Sequence, residues 1–351
     1  MKILFVIVLC ICPGFFASTV FAADPSASLQ WDRGDAMAAA NSVNIDRAVF
    51  EIANVSALAN AEATLEKLNQ LETRSDWPMP AREAALYEFT LSLAELPRTA
   101  VAPEVMQHLH DYQVRTLVPD ADHGATLVPL FNIRGAAAGV ENNWQRKEFA
   151  IEAIALIRTN PATLVNAYAQ STNHNQRSGY LDSLRQADMA DVAGAQQAAL
   201  AQFEQTPELT AVIGLTAVLT ADPSAVQQLL VNGNGAGLSA TLRQLAEQLP
   251  AAEIEVLLTY AIIEAPAANA SLAIAAWWPG LKHVAAVRDL LMEQLADPAL
   301  GSAAALALAQ SPDVQTVKLL QQTAAGNTLA ARRAQLALAI NREQLIGETQ
   351  P

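Results

Sequence analysis

A capping residue followed directly by proline recurs along this chain, and it constrains the fold more than any other feature. Thr206-Pro207 and Asp222-Pro223 are echoed by Asp297-Pro298 and Ser311-Pro312, and Asn160-Pro161 uses the same device upstream. Proline lacks an N–H and has a preset φ, so it suits the first turn of a helix, while the preceding Ser, Thr, Asp or Asn oxygen accepts from a free N–H of that turn. A chain punctuated this often is cut into short helices. Such helices are marginal alone in water and are stabilised by packing an apolar face on a neighbour.

The apolar spacing agrees with that punctuation. Leu58, Ala61, Leu65, Leu68 and Leu71 recur every three or four positions and predict a helix over 57–74, because that interval returns to one face of a 3.6-residue turn. A second helix is expected over 80–96, stopped by Pro97, and a third from Pro103 with Val105, Leu109 and Tyr112 as its stripe. From Trp144 one helix runs to Asn160-Pro161 and the next carries Leu164, Val165 and Tyr168. Further helices are expected over 177–187, 189–204, 207–220, 223–231, 238–249, 252–264, 267–278, 283–296, 299–310, 312–324 and 328–345. Residues 23–56 read as a loosely ordered lead-in. Pro119, Gly124, Pro129, Gly135 and Gly139 mark an irregular stretch over 118–143, with a short helix at 127–138 as an alternative.

Composition supports helices in close contact. Apolar residues make up 52% of the chain and aromatic residues only 5%, so the hydrophobic content is mostly alanine and leucine. Alanine is the best helix former, and strand-favouring residues are sparse. The expected fold class is therefore all-α, an array of antiparallel helix pairs over 57–347 in which each pair buries its apolar face on the next. On the paired proline starts, the chain over about 80–345 resembles the HEAT-like family of α-solenoids. That resemblance implies a curved stack whose inner helices bind a protein or peptide along a concave face. The aromatic and glycine pattern of tetratricopeptide repeats does not occur here, and a compact irregular bundle is the alternative architecture.

The first residues read as a secretion signal, with Met1-Lys2, an apolar run from Ile3 to Cys12, a Pro13-Gly14 break and a small-residue exit at Val20-Phe21-Ala22. Cleavage after Ala22 is expected. The apolar run is shorter than the roughly 20 residues that span a bilayer, so no membrane insertion is expected after cleavage. Neither Cys10 nor Cys12 follows the small residue that lipidation needs. Both cysteines fall inside the leader, so residues 23–351 hold no disulfide and no thiolate metal site. A disulfide-free exported chain suits a bacterial periplasm, with secretion as the alternative. The formal net charge of −14 disfavours nucleic acid and anionic membrane, both of which bind clustered Lys and Arg. Basic, neutral or apolar partners remain.

Candidate chemistry is sparse. His108, His110 and Asp111, followed by Asp120, Asp122 and His123, form the densest polar cluster. His108 and His110 point to different sides of a helix, whereas Glu104, His108 and Asp111 share a face that His123 could join from the loop to hold a divalent metal. Solvated side chains at a helix end explain the same residues without a metal, so no metal ligand, cofactor or catalytic residue is assigned. Asn232 to Gly237 is rich in glycine but has neither the preceding strand nor the lysine of a phosphate loop, and reads as a turn. The Arg146-Lys147 and Arg332-Arg333 pairs read as solvated faces. No G-x-S-x-G, S-x-x-K or H-E-x-x-H pattern occurs. Trp277 and Trp278, if exposed, would make an anchor pair for a partner, since tryptophan is enriched at binding hot spots.

The expectation is a non-enzymatic, exported helical-repeat protein that binds a protein or peptide partner. The alternatives are a hydrolase or lyase with a divalent-metal site near 104–123, and a passive structural spacer. Oligomeric state is not expressed in the sequence.

Overall fold

Asn160-Pro161 and Asp222-Pro223 open helices as expected, but Thr206-Pro207 opens only a 3-10 turn over Pro207–Leu209, the helix after Asp297-Pro298 starts at Gly301, and the helix after Ser311 starts at Val314 with Asp313 as its cap. The computed structural model describes residues 29–123, 126–311 and 313–347. The leader and its cleavage point at Ala22 lie outside the described residues. The chain divides into two compact units, one ending at Glu141 and the other starting at Asn142.

In the first unit the helices are α1 (Arg33–Ala40), α2 (Asp46–Ser56), α3 (Ala61–Glu72), α4 (Met79–Ser92) and α5 (Pro103–Asp111). Three short strands, β1 (Leu29–Gln30), β2 (Thr116–Pro119) and β3 (Leu127–Pro129), form a sheet in that order, with β1 parallel and β3 antiparallel to β2. The organising element is α4, against which α1, α2, α3 and β2 all pack. Its Ala81, Ala84, Ala85, Leu86 and Phe89 are buried, and the run of alanines lets its neighbours approach on several sides.

Two of these helices correct the expectation of a loose lead-in over 23–56. Asp32 caps α1, its Oδ1 accepting from the Gly34 N–H at 2.7 Å, but the buried face of α1 is only Ala36 and Ala40. A face of two alanines leaves almost no periodic trace in the sequence. On α2 the buried residues are Ile52 and Ser56 while Phe50 stays exposed, which inverts the usual pattern. Both helices owe their stability to the surface that α4 supplies. The helix expected from Ala57 starts instead at Ala61, where Asn60 caps it. Leu58 is 79% exposed in the preceding turn, and Ala59 sits there with a positive φ of 53°.

The irregular stretch is also corrected in part. β2, β3 and the turn between them occupy its first half, but α6 begins at Ile133 and runs to Thr159. It replaces the short helix considered at 127–138. Asn132 caps it through the Gly135 N–H at 3.0 Å. Ile133, Ala137, Val140 and Trp144 are buried at helical spacing, so the glycines at 135 and 139 do not interrupt it.

In the second unit, after the remainder of α6, come α7 (Pro161–Gln170), α8 (His174–Gln186), α9 (Met189–Leu200), α10 (Thr210–Thr220), α11 (Pro223–Asn232) and α12 (Gly235–Gln248). They continue as α13 (Ala251–Glu264), α14 (Ala267–Leu281), α15 (Ala285–Gln294), α16 (Gly301–Ala309), α17 (Val314–Ala324) and α18 (Leu329–Gly347). Alternate helices pack in two rows. One row runs α7, α9, α11, α13, α15, α17 and the other α8, α10, α12, α14, α16, α18, each helix touching the next in its row. Helix pairs such as α9 with α10, α13 with α14 and α17 with α18 join the rows. The fold is all-α, an array of antiparallel helix pairs.

Side chains tie one pair to the next. Asn269 on α14 donates to the Leu230 and Gly233 carbonyls at 2.9 and 2.8 Å, and Asn341 on α18 donates to those of Ala309 and Ser311 at 2.9 and 3.2 Å. Arg333 on α18 does the same for the carbonyls of Leu295 and Pro298 at 3.0 and 3.1 Å. The last carbonyls of a helix have no partner inside it, and here a side chain of a neighbouring pair, buried for Asn269 and Asn341 and partly exposed for Arg333, supplies one.

Candidate functional site

The histidine cluster does not converge. His108 on α5 faces α3, its Nε2 lying 2.6 Å from Glu72 Oε1, while His110 turns elsewhere and places its Nε2 3.1 Å from Glu141 Oε2. Asp111 accepts from Gln107 at 2.7 Å. Asp120 accepts from the Asp122 N–H at 2.8 Å, and Asp120 and His123 exchange backbone bonds with Thr126, closing the β2–β3 turn. Among the described residues no three His, Asp, Glu or Cys side chains come together to hold a metal ion. The hydrogen bond to Glu72 raises the pKa of His108 above its ordinary value, with burial opposing and the charges of Glu72 and Asp111 adding.

Glu83, absent from the sequence-derived candidates, is fully buried on α4. Its Oε1 accepts from the Arg115 N–H at 2.6 Å and from the Tyr112 hydroxyl at 3.3 Å, and its Oε2 from the Thr116 N–H at 3.0 Å. Those donors satisfy a carboxylate that would be costly to bury alone, and they pin the chain entering β2 onto α4. Burial, then the Glu83 charge, pushes the Tyr112 hydroxyl far above the usual phenol range. A glutamate on the apolar face of Ala81, Ala84 and Ala85 is the signal that could have revealed it.

The tryptophan pair is corrected. Trp277 is 1% exposed and Trp278 is 0% exposed, and both indole N–H groups are consumed inside the array. Trp277 Nε1 donates to the Leu242 carbonyl at 2.7 Å and Trp278 Nε1 to the Ala307 carbonyl at 2.6 Å. Pro279 does not end α14, which continues to a buried Leu281. The two rings knit α14 to its row neighbours and offer no surface to a partner. The turn expected at 232–237 is confirmed at Gly233 and Asn234, but α12 starts at Gly235, whose positive φ of 60° opens the helix earlier than the apolar stripe shows.

What the first unit does offer is an apolar groove of about 1090 Å³ over α4, walled by α1 and α2. Met37, Val49, Phe50, Leu91 and Phe131 line it. Phe50 is 66% exposed, and Met37 and Leu91 are each 41% exposed. The Phe131 ring is steadied by Tyr87, 5.9 Å away at 47°. Asp46 and Glu88 are its charged lining groups, and among the described residues no Lys or Arg lines it. The signal for this groove was the sequence of α2, where Val49, Phe50, Ile52 and Ala53 place apolar groups on more than one side of a short helix. Only one side can face α4.

A second depression of about 550 Å³ lies on the other side of α2 and is polar, with Arg47, Glu51, Arg74 and Trp77 in its lining. Arg74 lies over the Trp77 ring, 4.2 Å from its centroid, and pairs with Asp76 at 3.0 Å. Arg47 pairs with Glu51 at 2.9 Å. These guanidinium hydrogen bonds lower the Glu51 and Asp76 carboxyls below their ordinary values. The cations there are already neutralised. In the second unit, a cleft of about 320 Å³ between α14 and α16 is lined by uncharged residues including Ser271, Ala275, Leu306 and Gln310.

No helix among the described residues is long and apolar enough to cross a membrane. No family model matches the chain, and no curated protein or solved structure matches it either.

Proposed function

We propose that the chain is a non-enzymatic binding protein that docks a protein or peptide segment in the groove over α4, carried on a HEAT-like helical array and exported to the periplasm by its N-terminal leader. One observation carries the binding reading: Phe50, Met37 and Leu91 stand exposed around a single concave surface. Contiguous exposed apolar surface is costly to leave in water and marks interaction sites. The export reading rests on the leader sequence alone. The site differs from the tryptophan anchors expected from sequence, and the partner class stays the same.

A photo-crosslinking amino acid placed at position 50 should trap a discrete partner in periplasmic extract, and the same group at position 314, on the exposed Val314 of α17, should not. Equal labelling from both positions would overturn the reading. Metal analysis of the purified protein addresses the enzymatic alternative: stoichiometric zinc lost on His108→Ala would make a metal-dependent hydrolase or lyase the better description.

A further inference from the structure

Resting on the groove as a docking site, we infer that its occupant is a basic amphipathic helix, about two turns of which lie along α4 between α1 and α2. Three observations meet here. The floor runs along α4 from Ala84 past Glu88 to Leu91, about 10 Å at 1.5 Å per residue. That length matches apolar side chains at i, i+3 or i+4, and i+7 of an incoming helix. Small residues, Ala40, Ala53 and Ala84, line the groove together with the larger apolar groups Met37, Val49, Phe50 and Phe131, so the lining holds both the small and the large side chains that helix-on-helix packing uses. The charge is of one sign: Asp46 stands at the first turn of α2 and Glu88 on α4, with no Lys or Arg lining the groove among the described residues. A lysine or arginine flanking the apolar stripe of the occupant meets a carboxylate, whereas an acidic helix meets two like charges.

α1 and α2 each pack on α4, so a helix laid on α4 between them adds a helix-on-helix contact of the kind that builds the rows in the second unit. Asp46 lies on the α2 wall and Glu88 on the α4 floor, which favours an occupant with basic residues at more than one place beside its apolar stripe.

The test uses the full chain and two synthetic helical peptides of about fourteen residues with the same leucine stripe, one flanked by lysines and one by glutamates, read by fluorescence anisotropy at low salt. The lysine peptide should bind at least about tenfold tighter, about 1.4 kcal/mol, and its advantage should shrink as salt screens the pairs. Phe50→Ser should abolish binding of the lysine peptide, and Glu88→Lys, an exposed change, should reverse the preference between the two peptides. Circular dichroism on each variant separates lost binding from lost folding, with Leu91→Ser as a second groove variant if Phe50→Ser unfolds. Equal affinity for the two peptides, or a preference that Glu88→Lys leaves unchanged, overturns the basic-helix occupant. If neither peptide binds while crosslinking at position 50 still traps a partner, the helix is wrong and the groove stands. Failure of both overturns groove and occupant together.

Discussion

His108 shows how one contact sets a pH response. Its pKa is raised chiefly by the hydrogen bond with Glu72, so folding is favoured by protonation. That contribution is fully present below the unfolded value of about 6.5 and is lost as pH rises through the higher folded value. Glu72→Gln should bring the His108 titration, followed by its imidazole NMR signals, down toward the ordinary histidine range. It should also flatten the loss of stability as pH rises above about 6.5. An unchanged titration would mean that Glu72 is not the cause. Glu83 is a contrasting case in which the charge serves as an acceptor for the backbone. Glu83→Ala removes the carboxylate that accepts from the Arg115 and Thr116 N–H groups and should cost about 3 kcal/mol in chemical denaturation. Glu83→Gln, which keeps one acceptor oxygen, should cost less.

At the same scale the sequence conveyed residue type but not environment. Trp277 and Trp278 are equally suited to a hot spot or a core, and what separates those roles is whether the Leu242 and Ala307 carbonyls lie within reach. His108, His110 and His123 are close in sequence, yet α5 directs the first two toward carboxylates on different elements.

Elements were far more legible. Asp222 caps α11 through the Ser224 N–H at 2.9 Å, and Asn160 caps α7 through the Ala162 N–H at 3.0 Å. A local signal of this kind needs no tertiary partner. Asp222→Ala should therefore cost about 1 kcal/mol, measurable as a lower denaturation midpoint with an unchanged slope. Packing between elements is less forgiving. A β-carbon added at Gly179 on α8 would meet the Arg146 carbonyl oxygen at 2.6 Å, Phe149 Cβ at 2.7 Å and the Ala150 nitrogen at 2.9 Å, all on α6. Two of these are backbone atoms, which yield only if a helix shifts. Gly179→Ala should destabilise the second unit by about 1–3 kcal/mol, despite alanine being the better helix former. A neutral or stabilising result would mean that α6 and α8 are not in this contact. α1 and α2 were the helices missed, because one buries two alanines and the other faces its largest side chain outward.

At the scale of the molecule, the expected far-UV circular dichroism spectrum is predominantly helical, with minima near 208 and 222 nm; a β-rich spectrum would overturn the architecture. Helix content, and the positions of most helices from α7 to α18, follow from the sequence alone. They depend on capping, proline and apolar spacing, which act over a single turn or a few turns. The division at Glu141 and Asn142, the sheet of β1, β2 and β3, the buried fate of the tryptophans and the groove over α4 were decided only by the tertiary structure. Each of these depends on which surfaces distant segments present to one another. That pairing leaves no periodic mark in any one segment, so a short alanine helix or an outward phenylalanine acquires meaning only once α4 is in place beside it.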